Sequence, residues 1–169
     1  MSDDNLLIDA TTKIFEDLCD PQNINAAKDE SWKQLLWNAL EESGLTSAWV
    51  PEEFGGAGAS ISDGFSIIEV AGKFAVPIAL PETLLGGWLL SNANINIPKG
   101  IMAVAPTRPR DKLTIHSNGT LNGQLRGVPF ASEADHIVAA IEDAGSTKVA
   151  LVAKNNCEIK SFSGLSGDP

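Results

Sequence analysis

Glu52 and Glu53 stand side by side in the run Pro51-Glu52-Glu53-Phe54-Gly55-Gly56-Ala57-Gly58-Ala59-Ser60. Two carboxylates can share acid and base work when their environments push their pKa values apart. Neighbours on a glycine-rich bend point in different directions, so this pair is expected at the surface in a structural role. Ser132, Asp135 and His136 have the residue types of a nucleophile, an orienting acid and a base. Their closeness in sequence does not imply a triad, which is recognised by geometry. His116 and His136, with cysteines only at Cys19 and Cys157, give no metal-ligand spacing. Gly56-Ala57-Gly58 lacks both the third glycine and the preceding strand of a dinucleotide fingerprint. Arg108 and Arg110 have the planar fork that suits phosphate, although they read first as exposed loop arginines. Cys19 has no histidine or basic residue near it in sequence and is expected to pack as a small apolar residue. Asn118-Gly119-Thr120 matches a glycosylation sequon, but Asn-Gly here marks a hairpin turn.

The elements that must hold these residues change character along the chain. Leu6, Leu7, Ala10, Ile14 and Leu18 form an amphipathic stripe that ends at Pro21. A second helix is expected from about Asp29 to Ser43, with Trp32, Leu35, Leu36, Ala39 and Leu40 on its apolar face and Gly44-Leu45 closing it. The third runs from about Ser62 to Ala75, with Ile61, Phe65, Ile68, Ala71 and Phe74 at helical spacing, Ser60 or Ser62 as N-cap, and Pro77 as stop. A fourth starts after Pro81, with Thr83, Leu84, Trp88 and Leu89 inward, and Asn92 to Gly100 reads as a linker. Beyond Gly100 the period shortens toward two. Strands are expected at Ile101–Ala105, Lys112–His116, His136–Ile141, Lys148–Ala153 and Cys157–Phe162, with turns at Asn118-Gly119, Asn122-Gly123 and Asp143–Ser146. Helices followed by strands give an α+β class: an N-terminal α-helical bundle, residues 1–95, then an incomplete antiparallel β-barrel-like domain, residues 100–169.

Composition narrows the partners. The 169 residues carry a net charge of −10, and residues 1–69 hold 14 acidic against 3 basic side chains. Such a surface repels nucleic acid and reads as a solvated acidic helix face. The acidic start, Met1-Ser2-Asp3-Asp4, is unlike a signal or transit peptide, and no apolar run approaches the ~18 residues of a membrane span. Two distant cysteines fit a reducing compartment, so a cytoplasmic location is expected.

The run from Trp32 through Gly44-Leu45 to the Pro51–Ser60 bend resembles the N-terminal helical domain of acyl-CoA dehydrogenases. Glu69 to Ala75 is similar to that family's third helix and its exit, and Pro77 to Leu85 to the same place in a divergent branch. Leu121-Asn122-Gly123, Val128 to Ala131 and Ala134 to Val138 resemble the start of its middle β-domain. The resemblance implies FAD, an acyl-CoA substrate, a place in fatty acid metabolism and a homo- or hetero-oligomer. It also implies a catalytic carboxylate in a C-terminal helical bundle beyond Pro169, so no residue of this chain is expected to be the base.

The family binds flavin partly through a Thr-Glu-Pro-x-x-Gly-Ser-Asp segment, and here Val104 to Asp111 takes that place, matching at Pro106 and Asp111. A second flavin wall, Trp-Ile-Thr/Ser, reads Gly127-Val128-Pro129, without ring, hydroxyl or proline N–H. Main-chain contacts from Val104, Ala105 and Val128 are the flavin contacts that survive these changes. Arg108 and Arg110 would then face a flavin pyrophosphate or a coenzyme A phosphate. The resemblance with these departures implies the N-terminal portion of an acyl-CoA dehydrogenase-like flavoprotein, inactive and flavin-free by itself. Its alternatives are a flavin-less partner subunit of a hetero-oligomeric dehydrogenase, or part of an acyl-CoA oxidase or flavin monooxygenase of the same fold.

Overall fold

The computed structural model describes residues 3–27, 29–108, 111–143 and 145–162. Among them five α-helices precede five β-strands, which is the α+β order that the change of period dictates. Contacts group residues 1–84 into one unit and 85–169 into a second. The division falls upstream of the Asn92–Gly100 segment that composition marks as a linker.

In the first unit, α1 (Asp3–Leu18) buries Thr11 and Phe15, and Phe15 stacks on Phe74 with ring centroids 5.4 Å apart. Pro21 does more than end α1. It opens a short α2 (Pro21–Ala26), with the Asp20 carboxylate accepting from the Gln22 N–H at 2.9 Å, because proline suits a first helical position whose N–H has no partner. The next helix, α3 (Ser31–Glu42), buries Leu36, Trp37 and Leu40. A fourth, α4 (Ile61–Phe74), begins on a capping box. The Asp63 N–H donates to the Ser60 hydroxyl, and the Ser60 N–H donates to the Asp63 carboxylate. Phe15, Leu36, Leu40, Ile67, Val70, Leu80 and Leu84 form the core.

Several residues expected inward are outside. Leu6, Leu35, Ile61 and Phe65 are exposed, and Trp88 in α5 (Leu80–Asn92) is 38 % exposed. A helical stripe spans more than 100° of surface, and only its centre meets the core. Phe65 still packs edge-on against Trp49, with centroids 5.3 Å apart.

The glycine bend is held by the segment before it. The Gly58 N–H donates to the Val50 carbonyl and the Ala59 N–H to the Ala48 carbonyl, both at 2.8 Å. Gly55 has φ of 83°, which suits a residue without a side chain. Gly64 serves a different purpose. A methyl group there would overlap the Trp49 indole, whose N–H donates to the Ile61 carbonyl at 3.2 Å. Trp49 thus docks the bend on α4.

The second unit contains β1 (Met102–Ala105), β2 (Lys112–Ile115), β3 (Leu121–Gln124), β4 (His136–Asp143) and β5 (Ser146–Ala153). One sheet has the order β1-β4-β5, and β2-β3 is a separate hairpin. The expectation of antiparallel strands throughout is corrected at β1, which runs parallel to β4 with Val104 opposite Val138. A parallel pair needs a long crossover, and residues 106–135 supply it, with the hairpin inside. Among the described residues the strands form no closed barrel. The strand expected over Cys157–Phe162 is absent among the described residues, where a 3₁₀ turn at Lys154–Asn156 leads into irregular chain. Alternation sends Ala103, Ala105, Ile137 and Ala139 to one face and Met102 and Val138, with Leu90, to the other.

Gly64→Ala is expected to lower the unfolding free energy by about 1–3 kcal/mol, because the added methyl must displace a packed indole. Gly72→Ala, with nothing within 4 Å of its added methyl, is expected to raise it by up to ~1 kcal/mol. Urea titrations of the two variants followed by tryptophan fluorescence check both signs.

Candidate functional site

The end of β1, the start of β2 and the last half of β4 leave an open cleft of about 500 Å³ in the second unit. Its inner lining is apolar and includes Ala105, Leu113, Leu125 and Ile141. Its exposed lining includes Thr107, Arg108, Lys112 and Thr114. Ala105 is buried because it lies on the Ile137–Ala139 face of the sheet, at the point where β1 ends and Pro106 turns the chain.

One arginine, Arg126, ties the loop between β1 and β2 to the chain that leaves β3. The Asp111 side chain is only 3 % exposed and lines the cleft. Its carboxylate accepts from the Arg126 main-chain N–H at 2.9 Å and from Arg126 Nη1 at 2.8 Å. Arg126 Nη2 also donates to the Gln124 amide oxygen at 3.0 Å. A buried carboxylate needs such donors, and charge-assisted bonds from guanidinium are among the strongest available. Arg108 lies over Gly127, where a methyl group would stand 2.5 Å from Arg108 Nη2. Gly127 has φ of 60°, a second reason for glycine at this position. The Arg126 bonds hold the loop against the chain that leaves β3.

The three residues expected to touch a cofactor are not gathered in one place by their side chains. Ala105 lines the cleft. Val104 packs on the opposite sheet face with Leu90, Met102 and Val138. Val128 packs with the Ala103–Ala105 face outside the cleft lining. Arg110 lies outside the described residues. Arg126 was not evident from sequence, since its partner Asp111 is 15 residues away and no local pattern links them.

The other chemical candidates take structural positions. Glu52 and Glu53 are exposed in a single 3₁₀ turn. The Asp135 carboxylate accepts from the Ile101 N–H at 2.9 Å, and the Ser132 carbonyl accepts from Lys154 Nζ at 2.8 Å. His136 Nδ1 is buried without a hydrogen-bond partner, so these three residues make no relay. No group of three or more metal-binding side chains occurs among the described residues. Cys19 is buried, and burial pushes its thiol up to about 11, which keeps it protonated and unreactive at neutral pH. The Glu82 carboxyl is pushed up by burial, against a smaller lowering from a backbone hydrogen bond, and its Oε2 has no partner. No described helix is long and apolar enough to cross a membrane.

The helical unit, with its glycine bend docked on α4, matches the family model for the acyl-CoA dehydrogenase N-terminal domain over residues 2–93. The chain belongs to the acyl-CoA dehydrogenase family. It is 26 % identical over 133 residues to acyl-CoA dehydrogenase IpdE2 of Mycolicibacterium smegmatis, covering 77 % of this chain and 42 % of that protein. It is also 26 % identical to IpdE2 of Mycobacterium tuberculosis over 107 residues, covering 63 % of this chain and 34 % of that protein. Among solved structures, a variant of the Tcur3481-Tcur3483 steroid ACAD matches with a TM-score of 0.73 at 21 % identity, over 89 % of this chain and 47 % of that one. The ChsE4-ChsE5 complex of Mycobacterium tuberculosis matches with a TM-score of 0.68 at 18 % identity, over 90 % and 48 %. The chain therefore spans less than half the length of the relatives it matches. The structural likeness carries the acyl-CoA dehydrogenase fold across both units.

Arg126→Ala is expected to cost about 1–3 kcal/mol of stability, because Asp111 loses a charged donor and keeps only the main-chain one. Lys160→Ala, whose ion pair with Glu158 is exposed on both sides, is expected to change stability by less than about 0.5 kcal/mol. Chemical denaturation of both variants makes the comparison.

Glu82 generates a pH signature. A carboxyl whose folded pKa is raised binds more protons folded than unfolded, so its contribution to stability falls as pH rises through the ordinary carboxyl range near 4.5 toward the folded value. Glu82→Gln is therefore expected to be more stable than the parent at pH 7, with the gain vanishing below about pH 4. Denaturation midpoints from pH 3.5 to 7 check the sign.

Proposed function

We propose that this chain is the N-terminal portion of an acyl-CoA dehydrogenase-like system, in which it supplies the helical domain and a β-platform but neither flavin nor catalytic base. The complete system removes two hydrogens across the α and β carbons of an acyl-CoA thioester. The observation that carries the flavin-free reading is the closed loop at the cleft. Asp111 is engaged by Arg126, and Arg108 covers Gly127. In the resemblance these two stretches are flavin walls, and here side chains of the protein's own occupy them. The residues do not fit the cofactor. Gly127 offers neither ring nor hydroxyl, and Pro129 has no N–H to offer.

The same observation favours a second reading, a flavin-less partner subunit in a hetero-oligomer. One structural relative is described as a complex of two different proteins, ChsE4 and ChsE5, which supports testing that arrangement first. Another is described as a steroid ACAD, which makes steroid-derived thioesters the first substrates to try with the assembled system.

The purified 169-residue chain is expected to be colourless after gel filtration and to show no dehydrogenation of acyl-CoA. Each lost hydrogen bond to a ligand removes about 0.5–1.5 kcal/mol, and two or three such losses weaken binding by one to several orders of magnitude. A yellow preparation holding flavin in a one-to-one ratio overturns the flavin-free reading.

A further inference from the structure

Asn-Gly occurs twice in the chain, both times in the β2-β3 hairpin, and the fold holds the two pairs differently. Asn118-Gly119 lies at the tip, where His116 to Thr120 are all exposed. The Gly119 N–H donates to the His116 carbonyl and the His116 N–H to the Thr120 carbonyl, both at 2.9 Å, and Gly119 has φ of 80°. This is a tight turn closed by a glycine in the left-handed region. A methyl group on Gly119 would meet nothing within 4 Å, so the tip has open space around it. The Asn118 side-chain carbonyl accepts twice, from the Thr120 N–H at 3.1 Å and from the Thr120 hydroxyl at 2.7 Å. Both donors draw electron density from the amide carbon and meet the charge that develops on Oδ1 when a nucleophile adds.

Asn122-Gly123 lies within β3, with Asn122 opposite Thr114 and Gly123 opposite Leu113. His116 bonds to Thr120, so alternation makes Thr114 and Asn122 the next hydrogen-bonded pair. The Asn122 carbonyl therefore belongs to the ladder. Gly123 is crowded as well, since a methyl group there would overlap the Lys112 carbonyl.

We propose that Asn118 is a site of spontaneous deamidation in the folded protein and that Asn122 is spared. The Gly119 main-chain nitrogen attacks Asn118 Cγ. Solvent takes the Gly119 proton and returns one to the departing Nδ2. A C–N bond forms, the Cγ–Nδ2 bond breaks, and ammonia leaves a cyclic succinimide. Water then opens the ring at either carbonyl, giving aspartate or isoaspartate with no change of oxidation state. Glycine suits the attacking position because no Cβ obstructs its nitrogen. To reach Cγ, the Asn118-Gly119 peptide must rotate, which opens one turn bond at the tip. At Asn122 the same rotation breaks a rung of the ladder against a crowded backbone. Exposed tips open locally more readily than paired strands. Isoaspartate routes the main chain through the former side-chain carbon, so Thr120 loses its side-chain acceptor and a negative charge stands at the turn.

The full 169-residue chain is aged in mildly alkaline buffer, with and without concentrated urea, and mapped by mass spectrometry. Trypsin releases residues 113–126, which carry both sites, and fragment masses assign each. In the folded chain Asn118 is expected to convert at least about tenfold faster than Asn122, and in urea the two rates are expected to agree within about twofold. Methyl labelling by an isoaspartyl methyltransferase is expected to mark the aged parent and not Asn118→Gln. That position is exposed, so the fold is expected to survive, and circular dichroism verifies it. A smaller ratio in the folded chain, a ratio that urea leaves unchanged, or label retained in the variant overturns the proposal.

Discussion

A carboxylate that is almost out of solvent must be met by donors, and Asp111 is met twice by one residue. The Arg126 main-chain N–H fixes the path of the backbone leaving β3, and its guanidinium adds a charged bond to the other oxygen. This contact joins the loop after β1 to the exit of the hairpin. The parallel crossover from β1 to β4 contains both, so the pair ties two parts of the crossover together.

In the helical unit the equivalent constraint is steric. Gly64 admits the Trp49 indole to the surface of α4, and the indole N–H is satisfied by the Ile61 carbonyl. The backbone bonds from Gly58 and Ala59 to Val50 and Ala48 then have only one path available to the bend. None of the acidic side chains described in residues 1–69 is buried in this core.

Much of the helical unit could be read from the sequence because its determinants are local. Leu36 with Leu40 repeats at helical spacing, Ala71 lies on the stripe read for α4 while its buried neighbours Ile67 and Val70 do not, and the Ser60–Asp63 box lies within four residues. The stripe could not reveal its own edges, and Leu35, Ile61 and Phe65 fall outside the buried arc. The second unit was less legible because its determinants are distant. Nothing near Val104 says that its neighbour is a parallel Val138, and the apolar residues of Cys157–Phe162 resemble a strand without a partner to make one. At the cleft, the residue types of Arg108 and Asp111 were visible. Arg126 was not, because a pairing across 15 residues leaves no mark on either side's local pattern.

The central claim is that Asp111 is engaged by Arg126 and so closes the loop on the chain itself. Hydrogen exchange at the Arg126 amide, followed by NMR, tests it most directly. The account predicts a protected amide that loses protection in Asp111→Ala while the amides of β4, such as Val138, keep theirs. An Arg126 amide that exchanges at the rate of an open loop in the parent protein would contradict the account.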